Sequence, residues 1–594
     1  MRRSRCLPLA LSLLALATLP LHAEDDEEAT SAALHDIFDR EWEARLRDDP
    51  LLATRVGRDE WNHLMPSVAL GDLEAFVGVT RGFLDELDAV DVEALGDQDR
   101  INYQIFRSQL EDRITDFRYG AHQIPFNADS GFHVYLPRLA KNVPLHTTSD
   151  FDNYIARLRG IGTYFDQHIE NMRAGIARGM VLPRAVLAGY DGTMSSQIVA
   201  DAGESLFFEP FVEFPSTLPE SEHERLRRQG AAAITDVVVP AYERLLAFFL
   251  DEYVPAARET LGASHLPDGE AYYAYRVRHF TTLDLTPRQV HEIGLAEVAR
   301  IRGEMDAIIE SVGFEGSFAD FLEFLRTDPR FYAETPEELL KEAAYLAKSM
   351  DAQLPKLFKT LPRLPYGVAP VPDHIAPKYT GGRYVGAAKG STEPGYYWVN
   401  TYKLDSRPLY TLPSLTLHEA VPGHHLQNAL NNEREDLPNF RQYSYISAFG
   451  EGWGLYSEWL GLEAGFYLDP YENFGRLTYE MWRAARLVVD TGVHAMGWSR
   501  QQVIDYLAAN TALSLHECTT ETDRYISWPA QALAYKIGEL KIKELRRTAE
   551  AALGEAFDVR EFHDAVLLNG SVPLPVLEQE IERFIERSAT AAER

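Results

Sequence analysis

Cysteine is nearly absent from this chain. Its 594 residues include only Cys6 and Cys518, and we expect Cys6 to leave with the leader segment described below. The one remaining thiol cannot form an intramolecular disulfide or a cysteine-rich metal site. Stability must therefore come from a packed core, which a chain of this length with 45% apolar residues can form.

Basic residues are scarce relative to acidic ones. The chain has 58 Lys and Arg against 90 Asp and Glu, which gives a formal net charge of −32. A nucleic-acid partner needs a basic face, and an anionic membrane surface attracts basic segments. The charge balance therefore argues against both partners. An ordinary 25% of charged residues excludes a disordered acidic tail protein.

Long apolar runs are also rare, because nothing after residue 21 reaches the ~18 unbroken apolar residues of a membrane span. The run from Leu7 to Leu21 follows three arginines and precedes Ala23 and an acidic stretch. This order is typical of a secretory signal peptide, and we expect residues 1–23 to be removed. An N-terminal anchor is the alternative, but 15 residues span a bilayer poorly. We expect a periplasmic or secreted protein without a membrane span.

Helical periodicity dominates the rest of the chain. Three predicted helix starts have capping boxes, in which a hydroxyl residue and the residue three positions later satisfy each other's main-chain N–H groups. These boxes begin at Thr286, Thr335 and Ser499. We expect a mostly α-helical protein, with an N-terminal helical region at 24–275 and a C-terminal region at 276–594 that carries the chemistry. Both regions are expected to form one unit.

A short β element is expected within the C-terminal region. Six prolines from Pro355 to Pro377 indicate a loop-rich connection. The aromatic and β-branched run from Gly395 to Thr401 is the best strand candidate, with a buried aromatic loop as the alternative. Asn400 lies on this candidate strand, where its amide could hydrogen-bond the main chain of a substrate.

The dipeptide His-Glu occurs four times, and one occurrence has the surroundings of a metal site. In the pattern His-Glu-x-x-His, two imidazoles on one helix face bind zinc and the glutamate polarises a water molecule. Here the second histidine comes late, because His418 is followed by His424 and His425 only after a proline-glycine pair. A regular helix would pair His418 with His425, and a distorted helix would pair it with His424. The proline-glycine pair favours His424 as the second ligand. His425 would then lie behind the ligands or face the substrate.

A third zinc ligand is expected on the next helix. Glu451 follows His424 by 27 residues, a separation that lets a second helix return beside the first. Glu458 lies two turns farther along the same face and could orient a histidine ligand. A solvated glutamate at a helix start is the alternative for Glu451, and the upstream histidines favour the ligand.

Polar residues on two later helices are candidates for substrate contacts. One stripe follows helical spacing and consists of Arg483, Arg486, Asp490 and His494. It is either a solvent face with an ion pair or a wall of the substrate cavity. Farther along, Tyr525 and Tyr535 could donate to an oxyanion, and Arg524 could bind substrate. Core or rim positions are the alternative for both tyrosines.

These motifs together resemble the bacterial domain-of-unknown-function family 885 (DUF885). The resemblance covers nearly the whole mature chain and rests on His418-Glu-Ala-Val-Pro-Gly-His-His, Glu451-Gly-Trp, Asp490-Thr-Gly-Val-His, Arg524-Tyr and Tyr535-Lys. That family is similar to helical zinc metallopeptidases with a glutamate ligand. The resemblance implies a bowl-like helical fold with a deep channel, zinc bound by His418, His424 and Glu451, and Glu419 as general base. The His-Glu motif is two residues longer than the usual pattern.

Three functional hypotheses follow. The first is an exported zinc peptidase that hydrolyses short peptides, in which Glu419 moves protons and a tyrosine or His494 stabilises the oxyanion. The second is a zinc amidase that acts on cell-wall or other non-peptide amides. The third is a non-catalytic envelope binding protein with a structural metal, which would have no need of Glu419. A serine hydrolase is disfavoured, because no Gly-x-Ser-x-Gly occurs.

Overall fold

Helices form most of this protein, with one small sheet among them. The computed structural model describes residues 21–373, 375–376, 379–386 and 394–593. The prediction of a mostly α protein with a minor β element is confirmed. The predicted signal peptide lies almost wholly outside the described residues and stays a prediction. None of the described helices is long and apolar enough to cross a membrane.

The first half of the described chain is built from the helices that lie between residues 21 and 281. They are α1 (Leu21–Asp48), α2 (Pro50–Arg55), α3 (Leu70–Asp88), α4 (Asp97–Tyr119), α5 (Phe132–Tyr135), α6 (Thr148–Arg178), α7 (Gly192–Ser195), α8 (Glu220–Ala233), α9 (Val239–Phe248), α10 (Val254–Ala256) and α11 (Gly269–Thr281).

The remaining helices include those that carry the candidate site. They are α12 (Pro287–Ser311), α13 (Phe318–Thr327), α14 (Pro336–Asp351), α15 (Leu354–Leu357), α16 (Leu412–Glu419), α17 (His424–Asn432), α18 (Asn439–Gln442), α19 (Ser447–Glu463), α20 (Pro470–Met496), α21 (Arg500–Asn510), α22 (Leu515–Ser527), α23 (Ala534–Leu553), α24 (Val559–Leu567) and α25 (Leu574–Glu593).

The three predicted capping boxes all lie at helix starts. The boxes at Thr286 and Ser499 are complete, with both reciprocal hydrogen bonds present. At Thr335 the hydroxyl accepts from the Glu338 N–H, but the Glu338 carboxylate accepts from the N–H of Glu334 instead. The capping boxes therefore predicted all three helix starts correctly. Only the reciprocal bond of Glu338 differs, because its donor is the main-chain N–H one residue before Thr335.

The sheet has three short strands, β1 (Tyr366–Pro370), β2 (Gly382–Val385) and β3 (Gly395–Val399). Their order is β1-β3-β2, with β1 parallel and β2 antiparallel to the central β3. The predicted strand is therefore present, and Asn400 lies one residue beyond its end. Strand β2 is an edge strand, and it reaches the candidate site.

Two apolar clusters make up the core. One joins α1, as at Phe38, to α19, as at Trp453. The other joins α6, as at Phe165, to α20, as at Val488. Each cluster contains residues from before and after residue 275. The predicted division into regions 24–275 and 276–594 stays a prediction.

Candidate metal centre

The His-Glu motif forms two helices rather than one. Helix α16 ends at Glu419, and α17 begins at His424. This break brings the rings of His418 and His424 to a centroid distance of 4.8 Å, nearly perpendicular to each other. The distortion expected from the proline-glycine pair is thus a complete stop and restart of the helix.

Glycine is required at the turn between these helices. A Cβ on Gly423 would overlap the main-chain carbonyl groups of Leu417 and His418, so a larger residue would displace the turn. The indole N–H of Trp453 donates to the Pro422 carbonyl oxygen at 2.8 Å. This bond ties the turn to α19, the helix that carries Glu451.

The three predicted ligand residues lie together. The Oε2 atom of Glu451 is 3.6 Å from His418 Nε2 and 3.5 Å from His424 Nε2. Among the described residues, these side chains are the only group of His, Cys, Asp or Glu whose ligand atoms meet within 4.8 Å. His418 is buried, while His424 and Glu451 are slightly exposed, so the cluster opens toward solvent on one side.

The spacing of these atoms fits zinc. Ligands at about 2.0–2.1 Å from a tetrahedral zinc ion lie about 3.3–3.4 Å apart. The observed separations of 3.5 and 3.6 Å are close to that value, and they are too long for good hydrogen bonds between the groups. Two imidazoles and one carboxylate are also a donor set that zinc enzymes use.

Negative charge surrounds His418. Its Nδ1–H donates to Glu458 Oε1 at 2.7 Å, and the hydroxyl of Ser414 donates to the other Glu458 oxygen at 2.6 Å. Although burial opposes it, the carboxylates of Glu451 and Glu458 raise the pKa of His418 to about 10. The Nδ1 bond leaves Nε2 as the atom facing the cluster, and the excess of carboxylates favours a bound cation.

Glu419 is held beside the cluster by the edge of the sheet. Its Oε2 accepts a hydrogen bond from the main-chain N–H of Tyr384 on β2 at 2.8 Å. Within the described ranges, the other carboxylate oxygen makes no hydrogen bond. Its negative charge also acts on His418 and on Tyr445. A carboxylate at this position can exchange a proton with a molecule bound at the cluster.

His425 lies behind this arrangement. Its Nε2 is 3.2 Å from the Leu364 carbonyl oxygen, and its Nδ1 is 3.2 Å from the Tyr384 hydroxyl. A carbonyl oxygen only accepts, so Nε2 carries the proton and Nδ1 accepts from the tyrosine. Burial lowers the pKa of His425 to about 4. Both its nitrogens are thus occupied, and it supports the residue that holds Glu419.

Tyr445 is a site residue that sequence reasoning missed. Half of the side chain is exposed, at 52%, while its hydroxyl end lies over Gly450. Burial of the hydroxyl, together with the Glu451 carboxylate and Tyr535, raises its pKa well above the ordinary value, which places the phenol near the metal-ligand cluster. Tyr445 lies in a connecting loop without periodicity. The signal that was available is the glycine preceding Glu451, which leaves room for a ring.

Asn400 is fully used within the protein. Its side-chain NH2 group lies 3.0–3.1 Å from the carbonyl oxygens of Ala376, Tyr379 and Thr380. Its side-chain oxygen accepts from the N–H of Tyr402 at 3.0 Å. The amide therefore shapes the segment that leads into β2, rather than presenting free donors to a substrate.

His494 and Tyr525 also have their polar atoms engaged. His494 accepts from the Ala263 N–H and donates to the Tyr525 carbonyl oxygen, each at 2.9 Å, and burial lowers its pKa to about 3. The Tyr525 hydroxyl donates to Glu521 at 2.6 Å and accepts from Arg486 at 2.9 Å. Both residues connect α20 to α22 inside the core.

The stripe on α20 is buried, so it is not a solvent face. Its four members are 0–7% exposed. Asp490 accepts from the Tyr273 hydroxyl at 2.6 Å and from the Ala530 N–H at 3.2 Å. Asp490 thus anchors the turn that connects α22 to α23.

Arg524 and Tyr535 lie close to each other and to Arg486. The Tyr535 ring stacks on the Arg486 guanidinium at 4.5 Å, and, although burial opposes it, its phenol is one of the groups that raise the pKa of Arg524. Arg524 also donates to the Gln531 side-chain oxygen at 2.7 Å. These two candidates therefore belong to one polar group beside the metal-ligand cluster.

The fold and this site define a mostly α-helical protein with a candidate zinc centre of two imidazoles and one carboxylate. Residues 50–581 match the model of a family described as bacterial protein of unknown function, DUF885. The chain belongs to this family, which confirms the resemblance seen in its motifs.

Solved structures share the fold. A protein described as a candidate lipoprotein from Colwellia psychrerythraea is 30% identical, with a TM-score of 0.87, covering 94% of this chain and 100% of that one. A candidate lipoprotein of unknown function from Shewanella oneidensis is 16% identical, with a TM-score of 0.69, covering 92% and 99% of the two chains. The second likeness concerns the fold alone. No curated protein matches this chain.

Proposed function

We propose that this protein is an exported zinc-dependent peptidase that hydrolyses short peptides. One observation carries the proposal: the ligand atoms of His418, His424 and Glu451 converge at the spacing of a zinc site, and Glu419 is fixed next to them. A structural metal site does not need that fourth group, whereas a hydrolytic site does.

The zinc ligands, Glu419 and Glu458 have separate roles in the proposed hydrolysis. A zinc ion bound by the cluster would lower the pKa of a water molecule and polarise the scissile carbonyl. Glu419 accepts the proton of the attacking water and later delivers it to the leaving amine. Glu458 keeps His418 in one tautomer and orientation throughout.

Tyr445 is the residue best placed to stabilise the oxyanion. Burial and the nearby Glu451 carboxylate both raise the pKa of its phenol, whereas the hydroxyl of Tyr525 is committed to Glu521. Burial and nearby carboxylates keep the phenol of Tyr445 protonated, so it can donate a hydrogen bond where negative charge develops.

We further propose export by a cleaved signal peptide to the periplasm or the medium. The Colwellia psychrerythraea neighbour, which is 30% identical, is described as a candidate lipoprotein, and this supports a location outside the cytoplasm. In this chain Cys6 precedes the apolar run of the leader, so it is not positioned at the cleavage site for lipid attachment. The mature protein is therefore expected to carry no lipid.

Replacing Glu419 by Gln tests the chemistry. The variant should lose at least ~100-fold in peptide hydrolysis, because the amide cannot accept a proton, and it should bind zinc as the wild type does. Glu292→Gln is the matched control, since it alters an exposed glutamate that also follows a histidine. A peptide library digested by each protein and read by mass spectrometry gives the rates, and elemental analysis gives the zinc content.

The outcomes separate the hypotheses. Equal hydrolysis by wild type and Glu419→Gln would refute Glu419 as general base. Bound zinc without cleavage of any peptide would favour an amidase for non-peptide amides or a binding protein. Absence of stoichiometric zinc from protein purified without chelators, together with no uptake on addition, would refute the metal centre.

A further inference from the structure

Arg486 on α20 has a buried donor without a partner. The residue is 2% exposed, its Nε donates to the Tyr525 hydroxyl at 2.9 Å, and its Nη2 donates to Glu521 at 3.0 Å. The Nη1 group makes no hydrogen bond within the described parts of the chain. A charged donor that is enclosed and unused is suited to an anion that arrives from outside.

The surroundings of this donor are cationic. The charged groups that face one another here are Arg407, Arg483, Arg486 and Arg524 against Glu458, Glu517 and Glu521. Glu458 is already committed to His418, and burial together with Glu521 raises the pKa of Glu517. The four guanidinium groups outnumber the three carboxylates here, although the chain as a whole has a net charge of −32.

The donor lies in the neighbourhood of the candidate metal centre. The Tyr535 ring lies 4.5 Å from the Arg486 guanidinium, and burial, Glu451 and Tyr535 together raise the pKa of Tyr445. On the same helix, one turn before Arg486, Arg483 lies 3.9 Å from the Glu458 oxygen that binds His418. The cationic group thus lies one side chain away from the cluster.

We propose that Arg486, with Arg524 and Tyr535, binds the C-terminal carboxylate of the peptide substrate. This inference rests on the proposed function and makes the enzyme an exopeptidase that acts at the C-terminus. A guanidinium recognises a carboxylate through paired hydrogen bonds, and every unmodified peptide ends in one. A carboxylate held by this group, which neighbours the candidate metal centre, would bring the C-terminal end of the peptide to the zinc ligands.

Binding to zinc-loaded Glu419→Gln protein tests the inference without turnover. The probes are a pentapeptide with a free C-terminus, the same peptide as its C-terminal amide, and an amidated peptide with an internal aspartate. Calorimetry should show that the free acid binds about 10- to 100-fold more tightly than either amide, as expected for a charge-assisted bond to a buried group.

Two arginine variants locate the effect. Arg524→Gln, at a partly exposed position, and Arg486→Lys should each reduce the preference for the free acid to less than about fivefold, without weakening binding of the amide. Arg157→Lys is the matched control, because Arg157 is also buried with an unpartnered Nη1 but lies in the N-terminal helices. That variant should keep the full preference. If Arg486→Lys fails to fold, Arg524→Gln still decides.

Each outcome has one meaning. Equal affinity for free acid and amide, or internal cleavage of the library peptides by wild type, overturns the inference and leaves the peptidase proposal intact. Tight binding of the amidated aspartyl peptide assigns the group to an acidic side chain and also overturns it. If the zinc-loaded wild type hydrolyses no peptide at all, the proposed function is refuted instead. The ratios of the binding affinities still report on the carboxylate site in that case.

Discussion

At the scale of single residues, Glu458 determines how His418 presents its free nitrogen. The carboxylate is 2% exposed and accepts from both the imidazole and Ser414. A buried carboxylate with two such donors fixes the ring plane and increases its basicity as a ligand. The metal affinity of the site should therefore depend on a residue that does not contact the metal.

Glu458→Gln is expected to weaken zinc binding about 10- to 100-fold, because a neutral amide supports the imidazole less strongly. Titration against a zinc chelator of known affinity measures this change. Glu463→Gln serves as the control on the same helix, since Glu463 pairs with Arg546 near the surface. An unchanged affinity in Glu458→Gln would show that the carboxylate only fills space.

The ring of His418 also needs a glycine beneath it. A Cβ at position 454 would lie 2.6 Å from His418 Cε1 and 2.7 Å from Nε2, which is shorter than any normal contact. Gly454→Ala should therefore displace the imidazole and lower zinc affinity at least ~10-fold.

The control is Gly303→Ala in the middle of α12, where a Cβ meets nothing within 4 Å. That substitution should stabilise the protein by about 0.5–1 kcal/mol, because alanine favours the helix. Chelator titration and thermal unfolding distinguish the two effects. Normal zinc affinity in Gly454→Ala would mean that His418 is not a ligand in the observed position.

At the scale of elements, the sheet positions the general base. Strand β2 holds Glu419 through the N–H of Tyr384, and Asn400 anchors the segment that enters β2. An edge strand has main-chain groups that are free of strand partners, and here one of them is used to hold a carboxylate.

Asn400→Ala should lower the free energy of unfolding by about 2–4 kcal/mol, because buried carbonyl groups lose their donor. It should also lower kcat/KM while zinc affinity stays normal, since the ligands lie on other elements. Denaturant unfolding, kinetics and chelator titration measure the three quantities. The control Asn142→Ala, at an exposed position, should change the free energy of unfolding by no more than ~0.5 kcal/mol. It should leave kcat/KM and zinc affinity unchanged.

Sequence patterns predicted the elements well where the information was local. Capping residues at Thr286 and Ser499 and the aromatic run of β3 mark real boundaries. The sequence predicted that His418, His424 and Glu451 lie together, because histidines and a glutamate in such a motif are typical of zinc sites. The proline-glycine pair correctly indicated a distorted helix.

Long-range pairing could not be predicted in the same way. The hydroxyl of Tyr525 is consumed by Glu521, and the amide of Asn400 by a neighbouring segment. Tyr445 reaches Glu451 from a loop. Such partners depend on how distant segments pack, and no spacing in the sequence records whether a polar atom is free.

At the scale of the whole molecule, buried neutral histidines set the response to acid. Burial lowers the pKa of His168, His494 and His563 to about 3, and that of His133 to about 4. In the unfolded chain these groups take up protons near pH 6.5. The unfolded state therefore binds more protons below pH 6.5, and stability falls as the pH decreases from 6.5 toward 3–4.

His168→Phe should reduce this acid sensitivity. Both ring nitrogens of His168 lack hydrogen bonds in the described structure, and the ring stacks on Phe132 at 3.8 Å, so a phenyl ring fits the same space. The midpoint of acid unfolding, followed by circular dichroism, should decrease by a few tenths of a pH unit. The exposed His63→Phe is the control, and an unchanged midpoint in His168→Phe would contradict this account.

The most direct test is anomalous diffraction from crystals of the zinc-loaded protein, recorded on both sides of the zinc absorption edge. We predict one strong peak bonded to Nε2 of His418, Nε2 of His424 and a carboxylate oxygen of Glu451, at about 2.0–2.2 Å. No peak among these three side chains, or a peak bonded to His425 in place of His424, would contradict the assignment of the metal centre.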